Sequence, residues 1–204
     1  MRVLSLFSGT QSWTTYYTTK DTVLSVDIAF LYPNTLCRNV LTWDYKTEIP
    51  EYLGGMPDVV YASPPCDLYF THMKQLNSIR TYTEQEKQLS LELVNKTVEI
   101  ISWCKPKYYV IENPLGKMRW HYPKLFDKEP LIVDYCQYGM GWKKPTNLWT
   151  NVELVPKRCT HHKVKHATTI KGAKDGYITN EQYRAMIPPL LSLEITNLIK
   201  SKPL

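Results

Sequence analysis

A buried strand followed by a stiff turn is encoded by residues 58–66, which read Asp58-Val59-Val60-Tyr61-Ala62-Ser63-Pro64-Pro65-Cys66. A second run of the same kind, Tyr108-Tyr109-Val110-Ile111, leads into Glu112-Asn113-Pro114. In an open α/β sheet, ligands bind beyond the carboxyl ends of the strands, where the loops converge. The two stretches therefore predict one sheet edge that carries a thiol and a carboxylate. That pairing favours covalent chemistry over simple binding.

Strand and helix signals alternate along the rest of the chain. We predict a long helix over residues 84–104, opened by the capping-box pattern Thr83-Glu84-Gln85-Glu86. Its apolar stripe is predicted at Leu89, Leu93, Ile100, Ile101 and Cys104. A closing amphipathic helix is predicted from Pro188 to Lys200. The alternation indicates an α/β fold with a mostly parallel, doubly wound sheet, whose strands are predicted over 3–7, 23–26, 58–61, 107–111 and 131–135.

Composition and length describe an ordinary globular protein. The 204 residues are 43% hydrophobic and 22% charged, which excludes a disordered chain and fits one domain. No apolar run approaches the roughly 18 residues of a transmembrane helix. The stretch Met1–Phe7 lacks the features of a signal peptide, so we expect no membrane partner and an intracellular protein. Five scattered cysteines indicate free thiols.

The loops after the first two strands could hold a cofactor. Phe7-Ser8-Gly9-Thr10 places a glycine at a strand-to-helix turn, where the backbone can approach a ligand closely. Asp27 ends the second strand, where an acidic residue can hydrogen-bond ribose hydroxyls. Asp44, after a third strand, could serve near an adenine. The alternative for Gly9 is an ordinary turn glycine.

The two predicted catalytic loops can each be read chemically. Consecutive prolines fix φ and stiffen the turn, which would present Cys66 rigidly, although a buried structural cysteine is the commoner case. A partly buried carboxyl group at Glu112 can donate a proton to a ring nitrogen. Asn113 can order its loop through hydrogen bonds.

A net charge of +6 permits a polyanionic partner. A basic segment behind a candidate catalytic core favours nucleic acid, and a solvated basic surface is the alternative. Cys159, His161, His162 and His166 also suggest zinc, but they lack a partner Cys-x-x-Cys pair, so we assign no metal and favour phosphate contacts. The predicted nucleic-acid-binding residues are Lys143, Lys144, Lys157, Arg158, Lys163 and Lys165.

Taken together, these residues resemble the DNA cytosine-5 methyltransferase family. Leu6-Phe7-Ser8-Gly9 looks like its cofactor loop, Pro64-Pro65-Cys66 like its nucleophile loop, and Glu112-Asn113-Pro114 like its ENP motif. The order and spacing also fit, and residues 183–189 resemble a late family segment. The compact length and residues 137–150 look like the short enzymes of large DNA viruses and phages.

The resemblance implies a Rossmann-like S-adenosylmethionine-dependent fold with a minimal target-recognition region. It implies Cys66 as nucleophile at C6 of cytosine, Glu112 as the partner of N3, and DNA as substrate. Residues 1–204 would form one domain, with 151–182 a short basic insertion or vestigial recognition segment. A monomer in the cytoplasm or nucleus of a virus-infected host cell is expected. The implied residues for S-adenosyl-L-methionine are Phe7, Ser8, Gly9, Thr10, Asp27, Ile28, Asp44 and Pro64.

Two departures from the family pattern keep alternatives open. Gln11 stands where the family usually has a second glycine, and its side chain is expected to crowd the cofactor. Lys143 or Lys144 stands in for an arginine-bearing segment, without arginine's bidentate fork. A catalytically silent nucleic-acid-binding homologue and a cytosine-5 enzyme acting on transfer RNA are therefore alternatives. An amino-methyltransferase is disfavoured because its Pro-Pro loop carries an aromatic residue where this chain has Cys66.

Overall fold

The sheet of this protein contains five neighbouring parallel strands and an antiparallel strand near one edge. The computed structural model describes residues 1–30, 32, 35–66, 83–160, 166, 183 and 185–202. In that part of the chain the sheet has seven strands in the order β3-β2-β1-β4-β5-β7-β6, and β7 alone runs antiparallel to its neighbours. The strands are β1 (Arg2–Leu6), β2 (Thr22–Asp27), β3 (Thr35–Cys37), β4 (Val59–Ala62), β5 (Tyr108–Pro114), β6 (Leu131–Asp134) and β7 (Pro145–Thr150).

Helices pack on both faces of this sheet, as predicted for a doubly wound fold. They are α1 (Tyr45–Leu53), α2 (Glu84–Cys104), α3 (Met118–His121) and α4 (Pro189–Lys200), with a 3-10 helix over Tyr135–Tyr138. One buried cluster joins α1 and α2 to the sheet, and another joins α4 to the opposite face. The predicted strands, the long helix and the closing helix are confirmed, with boundaries that differ by at most three residues.

The capping box of α2 forms as predicted, but its buried stripe is different. The Thr83 side chain accepts from the backbone of Glu86, and the Glu86 carboxylate accepts from the backbone of Thr83. The prediction was wrong for Leu89, which is 47% exposed. The helix turns Ser90, Val94 and Thr97 inward instead, because the face that meets the sheet is set by docking rather than by the apolar residues alone.

The helix expected after β1 is absent from the described residues, where residues 12–16 form turns. The hydroxyl groups of Thr14 and Thr15 donate to the backbone carbonyl group of Gln11. Such local bonds compete with a helical ladder, and threonine is a poor helix former. The threonine-rich run therefore explains why the helix does not form.

Strand β7 and helices α1 and α3 were not predicted from the sequence, and the third strand expected before Asp44 is β3, which ends at Cys37. Strand β7 matters most, because it inserts between β5 and β6 and pairs with β5 as far as Pro114 opposite Thr146. This pairing extends β5 beyond Ile111, so Glu112 and Asn113 are strand residues and not loop residues. Both are buried as a result.

The basic segment is described only in part. Residues 151–160 contain no helix or strand, and His166 is also described. Lys163, Lys165, His161 and His162 lie outside the described residues, as does most of the predicted insertion over 151–182. Among the helices that the structure describes, none combines the length and the apolar character that crossing a membrane requires.

Candidate active site

The Pro-Pro-Cys turn and the Glu-Asn-Pro motif leave neighbouring strands at the same edge of the sheet. Strands β4 and β5 are parallel, with Ala62 opposite Ile111. The Nδ2 atom of Asn113 donates to the carbonyl oxygen of Pro64 across 3.0 Å, in buried surroundings. This bond fixes the turn that carries Cys66 relative to the strand that carries Glu112. The predicted convergence of these two motifs is therefore confirmed.

A second link holds the Pro-Pro-Cys turn from the side of β1. The indole ring of Trp13 stacks on Tyr61 with ring centroids 5.1 Å apart. Its Nε1 atom donates to Oγ of Ser63 across 3.1 Å. The segment after β1 and the turn after β4 are thus bonded to each other. A rigid support of this kind restricts where the partly buried Cys66 side chain can lie.

Glu112 is buried among polar groups that the sequence did not reveal as partners. Its side chain is 7% exposed, and its Oε1 atom accepts a hydrogen bond of 3.0 Å from the hydroxyl group of Tyr135. The Nζ atom of Lys144 lies 3.9 Å from the same oxygen and 4.8 Å from the centre of the Tyr135 ring. The carboxyl group therefore has a fixed donor on one side and a cation nearby.

Tyr135 remains a donor over the whole physiological pH range. Burial raises the pKa of its hydroxyl group well above the ordinary value, and the charges of Glu112 and Cys66 raise it further. Sequence reasoning missed Tyr135, although it directly follows β6 as the first residue of the 3-10 helix, where a buried tyrosine needs a polar partner.

Asp27 organises the glycine loop after β1. Its Oδ2 atom accepts from the backbone N–H of Gly9 at 2.9 Å, and its Oδ1 atom accepts from the backbone N–H of Ala29 at 3.0 Å. An ionised carboxylate has about four acceptor sites, and two of those of Asp27 are filled by these described residues. The loop itself reverses sharply, with φ of 53° at Phe7 and 43° at Gly9.

Gln11 occupies a backbone conformation that favours glycine. Its φ is 55°, in the left-handed region where a side chain is strained. The Nε2 atom donates to Oγ1 of Thr35 across 2.8 Å, so the side chain is held against the first residue of β3. The position therefore has the geometry of the glycine that the family pattern leads one to expect.

The loop residues have open polar and apolar groups that fit an adenosine-containing cofactor. Within the described part of the chain, the buried Oγ atom of Ser8 has no hydrogen-bond partner. Ile28 follows Asp27 and is 70% exposed, so an apolar surface stands beside the carboxylate. Such a pair suits a ribose and a base. The other predicted cofactor residues are Thr10, which bonds Ser12, Pro64, which is buried, and Asp44, which is exposed at the N-terminus of α1.

The described basic residues are not equally available to a polyanion. Lys157 pairs with Glu194, and Arg158 pairs with the buried Asp134 at 2.8 Å. Lys143 is exposed and Lys144 lies beside Glu112. The structure thus brings one predicted nucleic-acid-binding residue to the carboxylate of Glu112 and gives two others intramolecular partners. Both of the latter stay exposed enough to contact a ligand.

The strand order, the glycine loop and the two converging motifs define a Rossmann-like methyltransferase. No family model matches the chain. It is similar to a protein of Frog virus 3 named "Probable DNA (cytosine-5)-methyltransferase", with 30% identity over 224 residues that cover 97% of this chain and 100% of the relative. The chain belongs to the DNA (cytosine-5)-methyltransferase family.

Two solved structures share the fold. One is an E. coli prophage protein named for DNA modification methyltransferase activity, with a TM-score of 0.51 and 17% identity. The alignment covers 74% of this chain and 46% of that chain. The other is the methyltransferase EhMeth of Entamoeba histolytica, with a TM-score of 0.50 and 15% identity, covering 88% of this chain and 61% of that chain. The chain therefore spans less than two thirds of either neighbour.

Proposed function

We propose that this protein methylates C5 of cytosine in DNA through a covalent adduct with Cys66, using S-adenosyl-L-methionine. The observation that carries the proposal is the bond from Asn113 to the carbonyl oxygen of Pro64, which couples the thiol-bearing turn to the strand of Glu112. The Frog virus 3 relative is named as a DNA (cytosine-5)-methyltransferase, which supports the same reaction.

The role of Cys66 follows from the chemistry of the cytosine ring. C5 is too weakly nucleophilic to accept a methyl group unaided, so a covalent step is needed. The thiolate of Cys66 adds to C6, and the electron pair of the C5–C6 double bond moves to give an enamine that is nucleophilic at C5. After C5 has been methylated, a base removes the C5 proton, and the C6–sulfur bond breaks to release the thiolate.

Glu112 stabilises this intermediate at N3 of the ring. As charge develops on N3, the carboxyl group donates or shares a proton there. Tyr135 and Lys144 lie at the Oε1 atom of Glu112 and hold the group in one orientation. A hydrogen bond from a neutral tyrosine positions the carboxyl group without neutralising it. Lys144 would also supply part of the positive field that an arginine supplies in the family pattern.

The cofactor would lie over the loop after β1. The backbone of Phe7 to Thr10, the carboxylate of Asp27 and the exposed side chain of Ile28 would hold its adenosine part, with Pro64 near the reacting end. When bound, S-adenosyl-L-methionine supplies an electrophilic methyl group. Gln11 is the residue of this loop whose side chain is expected to limit the space.

DNA is the favoured substrate, and the base must leave the duplex for the reaction. C5 and C6 of a stacked cytosine are out of reach of the partly buried thiol of Cys66, so the nucleotide is flipped out. Lys143, Arg158 and Lys157 would contact phosphates, which gives affinity but little sequence information. Since the region available for target recognition is short, we expect a short or loose recognition sequence. The viral relative agrees with action in an infected cell.

The covalent step can be tested with an oligonucleotide that contains 5-fluorocytosine. Fluorine at C5 cannot leave as a proton does, so the C6–sulfur bond persists once it has formed. We expect a covalent complex of protein and DNA that resists denaturant when S-adenosyl-L-methionine is added. Cys66→Ser should form none. Cys37→Ser is the matched control, because Cys37 is an exposed thiol at the end of β3, and it should react like the wild type.

Nucleoside mass spectrometry then identifies the product and the substrate. In cells that express the wild type, 5-methyldeoxycytidine should rise above background, and Cys66→Ser should abolish the rise. Methylated cytidine in RNA alone would move the substrate to RNA. No new methylated nucleoside in either pool, together with no fluorocytosine adduct, would overturn the proposal in favour of a catalytically silent nucleic-acid-binding protein.

A further inference from the structure

Three metal-ligating side chains meet at the edge of the sheet formed by β6. The ligand atoms of Cys136, Cys159 and His166 all lie within 4.8 Å of one another. Sγ of Cys159 is 3.4 Å from Nε2 of His166. All three residues are partly buried, so an ion could enter and still be shielded. Cys136 was not linked to the others by the sequence, because it belongs to a different element.

The backbone holds the two cysteines together. Asp134, at the end of β6, accepts at Oδ2 from the backbone N–H of Cys159 across 2.7 Å. The backbone N–H of Asp134 donates to the carbonyl oxygen of Lys157 across 3.0 Å. The backbone N–H of Lys157 donates to the hydroxyl group of Tyr138 across 3.3 Å. These bonds lay the segment that carries Cys159 along the 3-10 helix that carries Cys136.

The spacing of the donors is that of a tetrahedral zinc site. Zinc binds sulfur at about 2.3 Å and nitrogen at about 2.1 Å, so neighbouring donors of a tetrahedron stand roughly 3.5–3.8 Å apart. The 3.4 Å between Cys159 and His166 is close to that edge. The other pairs of donor atoms lie within 4.8 Å, so metal binding would draw them together by at most about 1 Å. Thiolate and imidazole ligands also select zinc over calcium and magnesium.

We propose that Cys136, Cys159 and His166 bind a zinc ion. Both thiols would lose their protons, so that two thiolates and one neutral imidazole balance the charge of the ion and the protons pass to solvent. The fourth position would take water or a further side chain. The inference stands on this cluster and does not depend on methyl transfer.

The ion would link the basic segment to the residues that contact Glu112. Cys136 directly follows Tyr135, whose hydroxyl group donates to Glu112. Cys159 directly follows Arg158, one of the predicted phosphate-contacting residues. Zinc at this point would fix the segment after β7 against the 3-10 helix. The same ion would then hold the phosphate-contacting residues in place and keep Tyr135 in its orientation. We therefore assign the ion a structural role.

The test measures the metal content of the full chain, reconstituted with zinc under reducing conditions and desalted. We expect about one zinc ion per chain in the wild type, as for a structural site. Cobalt substitution should give the sulfur-to-metal charge-transfer absorption of thiolate ligands. Cys136→Ser, Cys159→Ser and His166→Ala should each lower zinc affinity at least ten-fold. Cys37→Ser, at the opposite edge of the sheet, should bind zinc like the wild type.

Because a ligand variant could simply fold poorly, the wild type is also treated with a chelator. Release of zinc with a lower melting temperature, and recovery of both when zinc returns, is the expected result. A reduced wild type that takes up no stoichiometric zinc would overturn the proposal, as would equal zinc retention in Cys136→Ser and Cys159→Ser. A Cys136–Cys159 disulfide that forms in place of metal binding would also overturn it.

Discussion

The hydroxyl group of Tyr135 donates a 3.0 Å hydrogen bond to Oε1 of Glu112, and both residues are buried. Tyr135 comes from the end of β6, and Glu112 comes from β5, two positions away in the sheet. Strand β7 lies between β5 and β6 in the sheet, so the bond links residues from strands that are not paired with each other. A positioning role for Tyr135 at the candidate catalytic carboxyl group follows from this geometry.

Replacing Tyr135 with phenylalanine removes the donor and keeps the ring. We expect the turnover number to fall about ten-fold, since one hydrogen bond to a charged group contributes roughly 1.5 kcal/mol. The Michaelis constant for DNA should change little, because Tyr135 does not reach the phosphate-binding surface. Tyr138→Phe is the matched control, because its hydroxyl group accepts from Lys157 instead. Equal losses in both variants would assign Tyr135 a purely structural role.

Asn113→Ala breaks the link to Pro64. The free energy of unfolding should fall by roughly 1–3 kcal/mol, because the buried carbonyl oxygen of Pro64 loses its hydrogen-bond donor. It should also form the fluorocytosine adduct more slowly than the wild type at a temperature where it is folded. Asn147→Ala controls for burial, since that amide lies opposite Asn113 and donates to Pro114. Adduct formation at the wild-type rate in Asn113→Ala would contradict the role given to this bond.

Gln11 can be tested with two substitutions that separate strain from bulk. Gln11→Gly loses the bond to Thr35, about 1 kcal/mol, but relieves a left-handed φ that costs a similar amount, so stability should change little. Gln11→Ala loses the bond and keeps the strain, so it should be less stable. We expect calorimetry to show several-fold tighter binding of S-adenosylmethionine to Gln11→Gly. Unchanged affinity would mean that Gln11 does not crowd the cofactor.

Asp21 makes stability sensitive to acid. Burial alone would raise its pKa, but Lys200, the backbone N–H of Thr18 and the amino terminus outweigh it and hold the pKa well below the ordinary value. A lowered pKa in the folded state stabilises the protein above the ordinary aspartate pKa, near 4. The free energy of unfolding should therefore fall as the pH drops below about 4.

The corresponding variant is Asp21→Asn. It should lose roughly 1–2 kcal/mol at neutral pH and show a weaker dependence of the unfolding free energy between pH 4 and pH 2. Denaturant unfolding at several pH values measures both effects. Glu129→Gln, an exposed carboxylate paired only distantly with Lys124, is the control and should leave the profile as in the wild type. If the unfolding free energy of Asp21→Asn depended on pH as that of the wild type does, the acid sensitivity would not arise from Asp21.

The parallel core and the family motifs could be predicted from the amino-acid sequence, because they depend on local signals. Apolar runs such as Val59–Ala62, a capping box at Thr83 and prolines at a strand end act within a few residues of themselves. Parallel strands then bring their carboxyl ends together, so the meeting of the Cys66 turn with Glu112 could be predicted from order alone.

The groups that surround those motifs are set by long-range packing. Strand β7 reads as a mixed polar and aromatic stretch, and its place between β5 and β6 arises from pairing with distant residues. That insertion buries Glu112 and brings Tyr135 and Lys144 to it. Cys136 likewise reaches Cys159 because Asp134, two residues before Cys136, accepts from the backbone N–H of Cys159. Such contacts join residues that are far apart in the chain. Local sequence patterns therefore do not predict them, and they form only when the elements pack together.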